Sequence, residues 1–168
     1  MAAGEIRIRH AEAADYPPLV AKVDAWWGGR AMSGMLPRLF FVHFRPTSFV
    51  AELDGAVAGF LVGFVSQSDP EVAYVHFVGI DPAMRGAGIG RALYGRFCEG
   101  VRALGCREVR CVTSPGNAAS IAFHRRLGFV PRPGDAELAD GTPYARDYDG
   151  PGEDRVCFRL GLSAQTGA

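Results

Sequence analysis

The chain has 168 residues, of which 48% are hydrophobic, and its 18 basic and 18 acidic side chains leave no formal net charge. This length suits one domain with a substantial core. The neutral balance excludes the basic surface of a general nucleic-acid binder, and no apolar run approaches the ~20 residues that cross a membrane. The N-terminal residues lack a signal-peptide core, and the four cysteines lack zinc or disulfide spacing. We therefore expect a cytoplasmic protein without a metal site.

The first half of the chain combines strand and helix patterns. Strands are predicted at Glu5–Arg9, Ser48–Leu53 and Ala56–Val65, and helices at Ala11–Trp27 and Met32–Phe44. Gly28 and Gly29 end the first helix, whereas Pro37 is expected to break the second. The pair Asp54-Gly55 predicts a tight hairpin between the last two strands.

The second half continues this alternation around one apolar strand. Strands are predicted at Val72–Ile80, Arg107–Thr113, Phe129–Arg132 and Arg155–Leu160, and helices at Ile89–Leu104 and Asn117–Gly128. Asn117 is a natural N-cap for the last helix. A long segment rich in Pro and Gly, Pro133 to Asp154, separates the last two strands. We expect a single domain over residues 1–162 and a loose tail at 163–168.

A glycine loop joins the strand at Val72–Ile80 to the helix that follows it. The loop reads Arg85, Gly86, Ala87, Gly88, Ile89, Gly90 and Arg91, and is called the 85–91 loop below. Bare backbone N–H groups and the positive end of a helix dipole make such a loop an anion site, with pyrophosphate as the expected occupant. No Gly-Lys-Ser/Thr follows, which excludes a P-loop, and the third glycine comes one residue early for a dinucleotide fingerprint.

The pattern that fits is Arg-x-x-Gly-x-Gly, formed by Arg85, Gly88 and Gly90, and it resembles the coenzyme A loop of the GNAT superfamily of N-acyltransferases. A second stretch, from Asn117 to Phe129, is similar to the family's other signature, Asn-x-x-(Ala/Ser)-x-x-Phe-Tyr-x-x-x-Gly-Phe. The two matches, with a predicted strand between them, span the 45 residues from Arg85 to Phe129. With the flanking elements, the resemblance extends to nearly the whole chain.

The resemblance implies an acyl-CoA N-acyltransferase fold of the α+β class. This is a three-layer arrangement in which about four helices flank a mixed, mostly antiparallel sheet. It also implies acetyl-CoA as the cofactor, and transfer of its acetyl group by direct attack of an amine on the thioester. The residues expected to bind the cofactor are Val78, Gly79, Ile80, the whole 85–91 loop, Asn117, Ser120, Phe123 and His124.

Two histidines are candidates for proton transfer. An amine with a pKa of ~10.4 is almost fully protonated at neutral pH, so a base helps the reaction. Family members often carry a Glu on the central strand, but the nearest titratable side chain here is His76, with Glu52 on a neighbouring strand as the alternative. The family's acid is a Tyr in the second signature, where this chain has His124. On a helix whose core stripe is Ala119, Phe123 and Leu127, His124 would face the cofactor.

The expected substrate side comprises Trp26 and Trp27 at the end of the first helix and Tyr144 and Tyr148 in the last loop. The segment from Gly134 to Asp154 holds seven acidic residues and one basic residue. Such an acidic flap fits a cationic amine, whereas the alternative is a solvated loop.

Other functions stay open from sequence alone. A non-catalytic CoA-binding regulatory module of the same fold is one alternative, because neither the strand Glu nor the signature Tyr is present, and a nucleotide-binding module is another. The acceptor is a small-molecule amine or a protein N-terminus. A homodimer stays open, and neither nucleic acid nor membrane is an expected partner. The 17 arginines against a single lysine, Lys22, are typical of a GC-rich bacterial genome.

Overall fold

The computed structural model describes residues 4–163, so the predicted loose tail lies outside the described residues from Ala164 onward. The chain divides into two compact units, one of residues 4–65 and 75–105, the other of residues 66–74 and 106–163. Each unit is described by itself below. That the chain acts as a single domain stays a prediction.

Seven strands follow one another through backbone hydrogen bonds in the order β1-β2-β3-β4-β5-β9-β6, and β7 pairs with β8 separately. The strands are β1 Ile6–His10, β2 Ser48–Leu53, β3 Ala56–Val65, β4 Val72–Ile80, β5 Glu108–Thr113, β6 Val130–Pro131, β7 Ala136–Glu137, β8 Pro143–Tyr144 and β9 Val156–Gly161. The helices are α1 Tyr16–Trp26, α2 Leu39–Val42, α3 Ile89–Ala103 and α4 Ala118–Arg126. Because β4 and β5 are parallel while β1–β2, β2–β3, β5–β9 and β6–β9 are antiparallel, the predicted mixed sheet with four helices is confirmed.

The first unit buries apolar side chains on both faces of β2 and β3. Val50, Phe60 and Val62 join residues of α1 and α2 in one buried cluster. Alternate residues of the same strands, such as Phe49 and Leu61, are also fully buried, which is the pattern of strands covered on both sides. The hairpin between β2 and β3 turns at Asp54 and Gly55, whose φ angles are +50° and +82°. Positive φ at both positions is the geometry that the Asp-Gly pair predicts.

The second unit is built on the β5–β9 pair. Cys111 lies opposite Phe158, and Val109 lies opposite Leu160. The segment before β9 contains the small β7–β8 ladder, in which Ala136 pairs with Tyr144. The sequence did not predict this ladder, because two-residue strands are too short to show a periodicity.

The second predicted helix, Met32–Phe44, is broken around Pro37 as expected, but only Leu39–Val42 of it is α-helical. The chain forms one 3₁₀ turn at Ser33–Met35 and then the four-residue helix α2. The Asp24 carboxylate accepts hydrogen bonds from the backbone N–H groups of Met32 and Ser33 at 2.7 and 2.6 Å, which ties the start of this segment to α1. Within residues 4–163, no helix is long and apolar enough to cross a membrane.

Gly79 on β4 allows two aromatic side chains to pack against the backbone. A Cβ at this position would lie 2.6 Å from Cε1 of Phe60 and 2.8 Å from Cη2 of Trp27. Phe60 is fully buried, so it cannot move aside without disturbing the core. We expect Gly79→Ala to lower the free energy of unfolding by ~1–3 kcal/mol, measured by urea denaturation.

Gly95 provides the matched control for this substitution. It lies at an exposed position in the middle of α3, where an added Cβ would meet no atom within 4 Å. Gly95→Ala should stabilise the protein by ~0.5–1 kcal/mol. Equal effects of the two substitutions would contradict the packing role of Gly79.

Candidate functional site

The 85–91 loop has the backbone geometry of an anion site. Gly86 and Gly88 have φ angles of +85° and +84°, and a Cβ on either would meet no atom within 4 Å. The first hydrogen bond within α3 runs from the Ala92 N–H to the Gly88 carbonyl at 3.0 Å. The preceding N–H groups, from Gly88 to Arg91, therefore have no acceptor within the helix. An open cradle at the N-terminus of a 15-residue helix is suited to a phosphate group.

The guanidinium group of Arg85 binds another part of the protein, so phosphate binding is not its only role. Its Nη2 donates to the carbonyl oxygen of Trp26 at 3.3 Å, at the last residue of α1. This bond links the start of the loop to the end of the helix that carries both tryptophans. We interpret Arg85 as a residue that positions the loop, while the backbone of Gly86 to Arg91 presents the N–H groups.

His76 on β4 is fixed by a hydrogen bond to a backbone carbonyl and by a stacked aromatic ring. Its Nε2 lies 2.9 Å from the carbonyl oxygen of Met35. Because a carbonyl only accepts, Nε2 carries the hydrogen. The ring stacks on Phe40 with 4.9 Å between centroids. Burial lowers the pKa of His76 below its ordinary value of 6.5, and the bond to Met35 opposes this shift. A neutral ring protonated on Nε2 offers Nδ1 as the basic atom.

Consecutive residues of β4 face the same cluster at this point. His76 contacts Phe40, while Phe77 contacts Phe60 at 5.4 Å, and both partners belong to the core cluster of α1, α2, β2 and β3. A regular strand sends neighbouring side chains to opposite faces. His76 and Phe77, although neighbours in β4, thus both contact aromatic residues of this cluster.

The two tryptophans of the predicted substrate wall have different environments. Trp26 is buried and stacks on Phe60 at 6.2 Å. Trp27 is half-buried and lies against Phe77 at 4.9 Å. Only Trp27 thus keeps the partial exposure that a wall residue needs.

Glu52, the alternative base, is committed to an ion pair. Its Oε1 accepts from Arg9 Nε at 2.8 Å, and Arg7 lies 3.8 Å from Oε2. Arg9 also binds the Asp15 carboxylate through both terminal nitrogens at 2.8 Å. This network argues for a structural role of Glu52 between β1 and β2 and against its role as a base.

In the second unit, α4 begins as predicted. The Asn117 side chain accepts a hydrogen bond from the Ser120 N–H at 3.1 Å, which confirms its role as N-cap. The predicted core stripe is wrong, because Ala119 is exposed and the buried residues of α4 are Ile121 and His124. Phe123, expected at the cofactor, is half-buried.

His124 packs as an aromatic core residue. Only 4% of its surface is exposed, and its ring stacks on Phe158 at 5.3 Å. Nδ1 donates to the Ser120 carbonyl oxygen at 2.8 Å. Burial lowers the pKa of His124 below 6.5, so the imidazolium needed for a proton donor is scarce at neutral pH. The geometry does not support the predicted acid role.

The buried state of His124 predicts a loss of stability in acid. Above pH 6.5 both the folded and the unfolded chain hold this ring neutral. Below that value the unfolded chain binds a proton that the folded chain resists, so stability falls as pH falls toward the lowered pKa. His124→Phe keeps the ring on Phe158 and should flatten this acid limb of the melting temperature.

The control for this measurement is the exposed His43, whose substitution His43→Gln should leave the acid limb as in the wild type. Parallel acid limbs in the wild type and in His124→Phe would contradict the assignment.

Most carboxylates of the acidic segment from Gly134 to Asp154 form hydrogen bonds or ion pairs within the segment or with the residue that follows it. Asp147 accepts from the Gly152 N–H at 2.6 Å, and its own N–H donates to Asp154 at 2.9 Å. Asp149 lies 2.7 Å from Arg155 Nε, and Glu153 also binds Arg155. These bonds favour the alternative given above, in which the segment is a solvated loop and not a flap for a cationic amine.

The tyrosines of this segment differ in exposure. Tyr144 is half-buried on β8, whereas Tyr148 is 50% exposed. Burial raises the pKa of the Tyr74 phenol on β4, and the nearby Tyr148 adds to this rise. Tyr74 was not among the predicted site residues, since an aromatic residue in an apolar strand carries no signal of its own.

The sequence of this chain matches a known protein family. A family model described as "Acetyltransferase (GNAT) family" matches residues 8–129, which include the 85–91 loop and the signature from Asn117 to Phe129. The chain belongs to the GNAT acetyltransferase family. The resemblance inferred from the two motifs is thereby confirmed.

Relatives of this GNAT chain carry acetyltransferase names. L-2,4-diaminobutyric acid acetyltransferase of Nocardia farcinica (strain IFM 10152) is 37% identical over 80 residues, which are 48% of this chain and 42% of the relative. The match spans less than half the length of the curated relatives. Nourseothricin acetyltransferase is 32% identical, with a TM-score of 0.55, over 69% of this chain and 65% of that one.

A more distant GNAT structure supports the fold. Diaminobutyrate acetyltransferase from Paenibacillus lautus, solved with L-2,4-diaminobutyric acid and coenzyme A, is 22% identical with a TM-score of 0.67. The match covers 95% of this chain and 96% of the other. At this identity the likeness shows the shared acyl-CoA N-acyltransferase fold.

Proposed function

We propose that the protein is an acetyl-CoA-dependent N-acetyltransferase acting on the amine of a small molecule. The observation that carries the proposal is the open glycine cradle of the 85–91 loop at the start of α3, in a chain of the GNAT family. The acetyltransferase names of relatives at 37% and 32% identity support the reaction type.

The residues present fit the cofactor. Gly86 and Gly88 leave their Cβ positions open, and the first-turn N–H groups of α3 can receive the diphosphate. Acetyl-CoA, when bound, supplies an acetyl thioester that an amine can attack. Val78 and Ile80, both half-buried on β4, and Asn117, Ser120 and Phe123 on α4 remain proposed cofactor contacts.

His76 is the proposed general base. The Met35 carbonyl fixes the hydrogen on Nε2, and the stack on Phe40 holds the plane of the ring. Nδ1 can then take a proton from the reacting ammonium. Because burial keeps the pKa of His76 low, the ring is neutral and able to accept at physiological pH. We assign no acid, since His124 is buried and neutral.

An assay of CoA release over a panel of amines, with acetyl-CoA present, tests the proposal. We expect amine-dependent release above the rate of hydrolysis without amine. The environment of His124 favours one second candidate, a CoA-binding module without catalysis. Binding of acetyl-CoA with no release for any amine would establish that alternative and refute the proposed reaction.

Three finer expectations stay proposals. We propose that the protein acts in the cytoplasm of a bacterium. A protein N-terminus is the alternative acceptor. A homodimer is the proposed assembly. The two acetyltransferases at 37% and 32% identity are named after small molecules, L-2,4-diaminobutyric acid and nourseothricin. Their names support a small-molecule acceptor over a protein N-terminus.

A further inference from the structure

The guanidinium group of Arg85 connects the 85–91 loop to the C-terminal end of α1. Its Nη2 donates to the Trp26 carbonyl at 3.3 Å, across 59 positions of the sequence. The backbone N–H groups of residues 27–30 bind other carbonyls, those of Val23, Asp24, Ala25 and Trp27. Arg85 therefore supplies a donor to a helix-end carbonyl, and its positive charge faces the negative end of the α1 dipole.

The residue after this carbonyl, Trp27, is packed onto strand β4. The centroid of its ring lies 4.9 Å from that of Phe77, and a Cβ on Gly79 would lie 2.8 Å from its Cη2. Trp27 is half-buried, and the exposed Gly28 and Gly29 follow it. Its packing on β4 therefore depends on where the end of α1 is held, which is the point that the guanidinium group contacts.

By itself this connection contributes little stability. Arg85 is exposed, and water competes for one hydrogen bond of 3.3 Å to a neutral carbonyl. An anion in the open cradle of Gly86 and Gly88 would change this balance. A guanidinium group has five N–H donors in a planar fork, so it can donate to a phosphate oxygen and keep the Trp26 carbonyl. A side chain ordered by the stronger, charge-assisted bond loses little further entropy on forming the second.

We infer that Arg85 bridges the diphosphate of acetyl-CoA and the Trp26 carbonyl, and that cofactor binding thereby fixes Trp27 against β4. The inference rests on the proposed function, which places the diphosphate on the 85–91 loop. Arg85 is then a positioning residue, because it acts through Trp27 on the part of β4 next to the proposed base His76. Phosphate binding by the loop backbone alone would leave the end of α1 unaffected, and this difference can be measured.

The fluorescence of Trp27 tests the inference. The chain has two tryptophans, and Trp26→Phe leaves Trp27 as the single emitter while keeping an aromatic ring beside Phe60. We expect saturating acetyl-CoA to lower the acrylamide quenching constant of Trp27 by roughly half. In Arg85→Gln, calorimetry should still detect acetyl-CoA on the loop N–H groups, but the quenching constant should not change. Arg85→Lys keeps the charge without the fork and should restore part of the protection.

Arg30→Gln is the matched control, because Arg30 is also an exposed arginine and lies three residues after Trp27. It should show the same protection by acetyl-CoA as the protein with Arg30. If Trp26→Phe does not fold, the same titrations in the two-tryptophan protein decide the question. Trp26 is only 6% exposed, so it contributes little to the quenching.

The CoA-release assay supplies a second measurement. At saturating acetyl-CoA, Arg85→Gln should lower kcat/KM for an amine roughly two- to tenfold, the contribution of one hydrogen bond. The inference is overturned by protection of Trp27 that persists in Arg85→Gln, by its absence when Arg85 is present and acetyl-CoA is bound, or by an unchanged kcat/KM. Protection that depends on Arg85, without CoA release for any amine, refutes the proposed transfer alone.

Discussion

His76→Gln is expected to lower kcat/KM for an amine by roughly 10²- to 10⁴-fold at pH 7, the usual contribution of a positioned base. This corresponds to ~2.7–5.4 kcal/mol of transition-state stabilisation. Gln can still donate to the Met35 carbonyl, which accepts from His76 Nε2 at 2.9 Å in the wild type. The fold should therefore survive while the proton acceptor is lost.

The pH profile identifies the cause of this loss. In the wild type, kcat/KM should rise through the lowered pKa of His76, below 6.5, and then stay flat until the amine itself loses its proton near ~10.4. Without the base, the rate should follow the fraction of neutral amine and climb about tenfold per pH unit over that range. The variant should therefore approach the wild type at high pH.

His43→Gln serves as the control, because His43 is an exposed histidine at the end of α2 and should leave both rate and profile unchanged. A flat profile and an undiminished rate in His76→Gln would remove His76 from the mechanism. A parallel loss at every pH, with a lowered melting temperature, would point to a structural role alone.

The 85–91 loop and β4 could be predicted from sequence because their signals are local. The φ angles near +85° at Gly86 and Gly88 require glycine at both positions. The Asp81-Pro82 pair ends the apolar run that precedes it, and β4 accordingly ends at Ile80. The hairpin at Asp54 and Gly55 is local in the same sense. Each of these features depends on the conformation of one or two residues, which the sequence states directly.

The surroundings of the two histidines could not be predicted in the same way. Pro37 indicates the break in the segment between Met32 and Phe44, but nothing in the spacing of its residues shows that Asp24 holds the N–H groups of Met32 and Ser33. The contact between Met35 and His76 joins residues 41 positions apart. It depends on tertiary packing, which overrides local preference.

The interpretation of α4 failed because a histidine was counted as polar. An imidazole ring can pack like other aromatic rings once its N–H groups are satisfied. His124 does so, with Nδ1 bound to the Ser120 carbonyl and its ring on Phe158. In the acidic segment, the charge count was correct, but it could not show that Asp149 and Glu153 both bind Arg155.

Gly88→Asp should abolish the stabilisation of the protein by acetyl-CoA. At a hundredfold excess over Kd, the ligand adds ~2.7 kcal/mol to the wild type, which raises the melting temperature by roughly 5–10 °C for a chain of this size. In the variant, a carboxylate would occupy the open cradle at the N-terminus of α3 and repel the diphosphate. The ligand-induced shift, measured by thermal unfolding, should fall to zero.

Two further variants separate charge from backbone strain. Gly88→Ala carries the same penalty for a φ of +84°, roughly 1–2 kcal/mol, but no charge, so it should lower the melting temperature yet retain part of the acetyl-CoA shift. Gly95→Asp puts the same carboxylate on the exposed side of α3, outside the loop, and should keep the full shift. If Gly88→Asp gained as much stability from acetyl-CoA as Gly95→Asp does, the diphosphate could not lie on the N–H groups of the 85–91 loop.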